Sequence, residues 1–156
     1  MSIAKHQVSL FKGMLPLFFL CITAGCSKDF FKSYDKRIIG RWELYDVDKA
    51  GFGSSKAVYS EGTFQFEGDG SFFYTRQSGA KYTGTWRLKK YTVTVTNSDG
   101  QQSSEQKHSL LLSATNVEDQ QILAENFDDL NFTNTDRFRA VVNNNFNTVT
   151  YKFRRN

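Results

Sequence analysis

The sequence predicts an all-β protein, and three observations carry that prediction. Short runs rich in β-branched and aromatic residues recur about every 8–12 residues, separated by clusters of Gly, Asp, Asn and Ser. Inside the runs, apolar and polar residues alternate, most cleanly in Tyr91-Thr92-Val93-Thr94-Val95-Thr96. No stretch keeps the period of a long amphipathic helix. The chain has 156 residues, 15% of them aromatic and 23% charged, which suits one ordered domain and excludes a disordered chain. Strands at this spacing build a sandwich or a barrel. The expectation is a single antiparallel β-barrel of about 8–10 strands.

Taken in order, residues 1–25 read as an export address. Lys5 and Lys12 precede the apolar run from Met14 to Ile22, and small residues, Thr23-Ala24-Gly25, lead to Cys26. A charged start, a short apolar stretch and a small-residue site describe a signal peptide. The run is too short to span a bilayer. Ile22-Thr23-Ala24-Gly25-Cys26 resembles a bacterial lipobox. That resemblance implies removal of residues 1–25 and acylation of Cys26, which anchors the protein to a membrane. Ordinary cleavage leaving a free Cys26 thiol is the alternative. Ser27, rather than Asp, follows the Cys, which by the same resemblance implies the outer membrane. Ser27-Lys28-Asp29 is similar to a shortened surface-export tag of Bacteroidota lipoproteins. The periplasmic face is therefore the expected location and the cell surface the alternative.

Cleavage would leave 131 residues and lower the net charge from +4 to +2, because the leader holds two Lys and no acid. A near-neutral chain offers nucleic acid no basic footprint. One remaining Cys excludes an intrachain disulfide. Residues 26–37 read as the lipidated Cys and a tether or one short helix, and residues 38–155 as the β domain. Candidate strands are 38–47, 57–67, 71–78, 81–88, 91–97, 105–114, 120–125, 128–133, 136–142 and 146–154. Gly51 to Ser55 reads as a loop. Gly68-Asp69-Gly70, Ser78-Gly79, Asn97-Ser98-Asp99-Gly100 and Asn143-Asn144-Asn145 are turn chemistry.

Parity places Phe64 with Phe66 on one face, Tyr82 with Trp86 and Leu88, Trp42 with Leu44, and Tyr151 with Phe153. Such aromatic stripes either fill a core or line a cavity for an apolar ligand. Ile38-Ile39-Gly40-Arg41-Trp42-Glu43-Leu44 resembles the first-strand Gly-x-Trp signature of lipocalins and related calycin barrels. Gly62 to Phe66, with Gly68-Asp69-Gly70 and Ser71-Phe72, resembles a hairpin of the same family. Tyr82-Thr83-Gly84-Thr85-Trp86 is similar to a strand of lipocalin-like lipoproteins of Bacteroidota, and Tyr151 to Arg155 to their last strand. The resemblance covers about residues 38–155. It implies a lipocalin-like barrel with Gly40 and Trp42 at its closed end and a late Arg across the indole. The candidates are Arg139, Arg154 and Arg155, and with Tyr151 and Phe153 facing inward parity selects Arg155 over Arg154 for that role.

Catalytic chemistry finds little support. A Ser-His-acid site needs a His beside a nucleophile, and His108 stands without a motif, reading as an exposed strand residue. It has no partner at zinc-site spacing. Asp128, Asp129, Asn131, Asn134 and Asp136 lack EF-hand spacing and read as a polar hairpin loop rather than a calcium site. The residues call for no cofactor and no metal. The expectation is a non-enzymatic envelope lipoprotein that binds a small apolar or amphipathic ligand, with Phe64, Phe66, Tyr82 and Trp86 as ligand-binding candidates. The alternative is a structural or protein-interaction lipoprotein with a side-chain-filled barrel and an envelope protein as partner.

Overall fold

The computed structural model describes residues 32–52 and 56–156. The leader, Cys26 and Gly53 to Ser55 lie outside the described residues. One short helix, α1 (Tyr34–Ile38), precedes nine strands. These are β1 (Gly40–Gly51), β2 (Gly62–Phe66), β3 (Ser71–Thr75), β4 (Lys81–Thr96) and β5 (Gln102–Asn116). β6 (Ile122–Phe127), β7 (Asp129–Phe132), β8 (Arg137–Asn144) and β9 (Asn147–Arg155) complete the sheet. All neighbours are antiparallel, in the order β6-β5-β4-β3-β2-β1-β9-β8-β7.

Ten expected runs become nine strands because 81–88 and 91–97 are one strand. Lys89 and Lys90 hold extended backbone, and β4 pairs with β5 in unbroken register from Tyr82↔Asn116 to Thr96↔Gln102. Turn chemistry acts where it was read. Asn97 Oδ1 accepts from the Asp99 and Gln101 N–H groups, and Gly100 takes φ +77°, closing the β4–β5 hairpin. Asp69 does the same for Ser71 between β2 and β3. The last turn falls at Asn145-Phe146, one residue later than the Asn run suggests, because Asn144 pairs with Asn147.

The expected closed barrel is corrected to an open sheet. The strand order is a meander whose first strand pairs with its last, but β6 and β7 do not pair with each other. Their sole connection is Asp128, and one residue cannot turn a hairpin. Instead β6 and β7 act as one bent strand: β6 pairs with β5, while Asp128 N–H donates to Val141 O at 2.7 Å and β7 continues along β8. The seam is bridged by the chain, not by a ladder. The sheet is curled enough for β7 to lie near β5 and for β6 to lie near β8.

The concave face holds the core. Trp42, Phe64, Phe66, Phe72, Tyr74, Tyr82, Leu110, Leu112, Phe127, Phe138, Tyr151 and Phe153 are all buried there. Each fully buried large apolar side chain contributes about 1.5–3 kcal/mol. A register shift between Leu44 and Asp46 in the β1–β9 pairing leaves Tyr45 half exposed. Past that bulge Val47, rather than an even-numbered neighbour, packs on the core, so the strand's parity changes midway.

Candidate functional site

Two regions hold the residues singled out by sequence. The first is the end of the sheet beside α1. Trp42 and Arg155 are cross-strand partners on β1 and β9, so their side chains share a face. The Arg155 guanidinium carbon lies 4.4 Å from the indole centroid. Its Nη2 donates to Arg37 O at 2.9 Å and its Nη1 to Ile39 O at 3.3 Å. The indole itself is fully buried and donates from Nε1 to Ile38 O at 2.6 Å. Phe138 meets it edge-on at 4.7 Å. Gly40 has φ +121°, and a Cβ there would stand 3.0 Å from Arg155 Nη1. Gly40, Trp42 and Arg155 are therefore one cluster. On the outer face Arg154 makes two 2.8 Å hydrogen bonds to Glu43, which hold that carboxyl below its usual range.

The second region is the aromatic interior. Phe64 touches Tyr59, Phe72, Tyr74 and Phe153, at centroid distances of 5.1, 5.8, 4.7 and 5.0 Å. Phe66 meets Trp86 edge-on at 5.8 Å, and Trp86 Nε1 donates to Glu67 O at 2.9 Å. Tyr82 packs on Tyr74 at 5.5 Å and donates to Gln121 Oε1 at 2.7 Å. The four ligand candidates are thus not one open lining. Phe64, Phe66 and Tyr82 are buried, Trp86 is half-buried, and each is engaged by protein.

Sequence reading missed a polar group set in this interior. Tyr59, expected on a strand, sits on the loop before β2, and its ring is fully buried against Phe64 and Tyr74. Among the described residues its hydroxyl has no hydrogen-bond partner. Burial first, then the neighbouring Tyr74 and Glu125, push its pKa far up. Glu125 is half-buried, between Leu123 and Phe127 on the inward side of β6. Burial raises its pKa, against the lowering effect of the Asn126 N–H, which donates to Glu125 Oε1 at 3.2 Å, and of the nearby Tyr151 hydroxyl. The Tyr151 hydroxyl also accepts from Val58 N–H at 3.2 Å, and burial pushes it up to about 12. The signal for Glu125 was present: Leu123 and Phe127 share its parity. Tyr59 had none, because a loop residue belongs to no alternation.

His108 is corrected from an exposed position to a half-buried one. The Tyr34 ring of α1 stacks on its imidazole at 3.8 Å. Burial and nearby Lys90 lower its pKa, which favours the neutral ring. Among the residues once weighed for calcium, Asp128 Oδ2 accepts from Asn143 N–H at 2.6 Å, and Asn134 Oδ1 from Asp136 N–H at 3.1 Å. Both side chains serve local backbone. No group of three or more metal-ligating side chains occurs among the described residues. No helix among them is long and apolar enough to cross a membrane. No protein-family model, curated protein or solved structure matches this chain.

Proposed function

We propose that this chain is a non-enzymatic lipoprotein of the bacterial outer membrane, anchored through Cys26, with a side-chain-filled interior and a role in protein contact. The fold reading that goes with it is an opened, lipocalin-like meander. The pairing of first strand with last and the Gly40–Trp42–Arg155 cluster support that relation. The observation that carries the functional reading is the state of the ligand candidates. Phe64, Phe66, Tyr82 and Trp86 already satisfy one another and their neighbours, in ring contacts and hydrogen bonds. A ligand would have to displace those contacts.

Small-molecule binding remains as a second reading because of one group, the buried Tyr59 hydroxyl beside Glu125, where a ligand's polar atom would find a partner. Native mass spectrometry of the protein extracted from its own envelope separates the two. The filled interior predicts the bare polypeptide plus lipid mass. A retained small molecule that is lost in Tyr59→Phe would overturn it in favour of ligand binding. The address is tested by Cys26→Ser. The variant should leave the outer-membrane fraction or accumulate as precursor, and wild-type fractionation at the mature mass would refute lipidation.

A further inference from the structure

We infer that two copies of this chain pair through the free edge of β4, forming a continuous four-stranded ribbon. It rests on the protein-contact reading and names the partner. The edge is defined by hydrogen bonding. β3 pairs with β4 only as far as Ser71↔Thr85, and Trp86 N–H donates to Gly70 O at 2.9 Å. Beyond that, among the described residues, only β5 pairs with β4. Backbone groups along a strand alternate in direction. Trp86 N–H points away from β5, so the N–H groups of Leu88, Lys90, Thr92, Thr94 and Thr96 point the same way, onto an edge that no other strand covers among the described residues. From Tyr91 to Ser98 this edge carries no charge and no Pro, and Asp99 follows at the tip. Charges, Pro and bulges are the features by which edges avoid pairing, and this stretch has none of them.

The companion edge of the hairpin is different. The free stretch of β5 carries Glu105 and Lys107, and Tyr34 covers His108. Among the described residues, the β4 side is the bare one.

The β4 edge also complements itself. A two-fold axis at Val93 sets Val93 against the second copy's Val93, and Tyr91 against its Val95. Thr92 and Thr94 then exchange backbone hydrogen bonds with their counterparts. Lys90 falls opposite Thr96 and Lys89 opposite Asn97, so no like charges meet. Arg87 and Lys89 approach the turn that holds Asp99, which is of opposite sign. The lengths agree as well. In this register the second copy's β4 ends at Thr96, opposite Lys90, and its chain turns at Asn97, short of Trp86, whose N–H is already held by Gly70 O. The arm fills the free edge without running into β3. A strand-edge partner of unrelated sequence would have no reason to match either the charges or the length.

Val93 sits at a non-hydrogen-bonded position of the inferred pair, where facing Cα atoms come within about 4.5 Å. That distance permits a disulfide. The test uses the full chain extracted in mild detergent, with Val93→Cys and, as control, Phe146→Cys at an exposed turn away from the arm. With a thiol oxidant, Val93→Cys should give a band of doubled mass many times faster than Phe146→Cys. Sedimentation of the unmodified chain should show a dimer at micromolar concentration. Thr94→Pro and Thr94→Lys should each lower its association by at least tenfold, since both spoil the outward edge while the Thr94 N–H makes no bond to β5. Equal cross-linking rates, or a monomer at every concentration, would overturn the pairing. A ligand found by mass spectrometry would overturn the filled interior and leave the association into a dimer in place, so the two failures are distinguishable.

Discussion

The two halves of β4 share one strand and one alternating pattern, yet they have different fates. In the inner half Tyr82 is buried and Trp86 half-buried, between β3 and β5. In the outer half Tyr91 and Val93 are only half-buried, Val95 is 40% exposed, and Thr92, Thr94 and Thr96 face solvent. Tyr91 still finds one anchor, donating to Asp128 O at 2.6 Å. Past it, among the described residues, the arm has only its own ladder. Alternation reports which residues share a face. Whether that face is covered depends on a second element, and the sequence of the strand alone does not contain that element.

This contrast is broken most severely at the covered end. Trp42→Ala removes a fully buried indole, its bond to Ile38 O and the ring under Arg155, and should cost about 3–5 kcal/mol in urea denaturation. Arg155→Ala should cost less, in line with a cation–π contact of about 0.5–2 kcal/mol. Arg154→Ala, on the outer face, should be near neutral. A Trp42→Ala loss below about 1 kcal/mol would place that end of the sheet in the same class as the arm.

The inner half of β4 can be tested with a single methyl group. A Cβ on Gly84 would collide with Ser113 O and stand 2.6 Å from Ala114 Cα, both backbone atoms of β5. β5 cannot yield there without disturbing its bonds to β6. Gly84→Ala should therefore destabilise by about 1–3 kcal/mol, the range for overpacking. A neutral result in the same denaturation assay would mean the β4–β5 ladder is loose even where it is covered.

What the sequence revealed, and what it hid, follows the same line. Strand faces, hairpin turns and the choice of Arg155 over Arg154 were legible, because they depend on neighbours two residues apart or on local turn chemistry. The pairing of Trp42 with Arg155 comes from a register that parity constrains. The open seam was not legible. Asp128 reads as an ordinary loop residue, and only the separate pairing of β6 with β5 and β7 with β8 shows that it bends one strand across two neighbours. Tyr59 was hidden for a related reason, since its burial is set by a loop folding back over β2 and β3.

Tyr59→Phe should act in the opposite direction from the other core variants. It keeps the ring against Phe64 and Tyr74 and removes a buried hydroxyl that has no partner among the described residues. Stability should rise by about 1 kcal/mol, at the low end of an unsatisfied buried group. A loss instead would show that the hydroxyl is bonded in solution. Glu125 supplies a pH test nearby. Its folded pKa is raised by burial, so the folded chain holds a proton that the unfolded chain releases. Its contribution is present below the usual carboxylate pKa and is lost as pH rises through the folded value. Glu125→Gln should remove that slope, seen as the wild-type-minus-variant difference across the acid range. A difference independent of pH would mean the carboxyl is solvated.

The smallest effect belongs to the arm. Val95 lies past the Tyr91 anchor, paired with Ser103 and 40% exposed. Val95→Thr keeps the β-branch, so strand propensity is nearly unchanged. The new hydroxyl meets water rather than a core. Measured at concentrations too low for association, the change in unfolding free energy should stay within about 0.5 kcal/mol, the ordinary range for a surface site. Hydrogen exchange sharpens the same point. Amides of the arm, bonded only across one two-stranded ladder, should exchange through local opening well before those of Trp86 and Leu112. If Val95→Thr instead costs as much as Gly84→Ala in the dilute monomer, something in the fold covers the arm, and the two halves of β4 differ less than their exposure indicates.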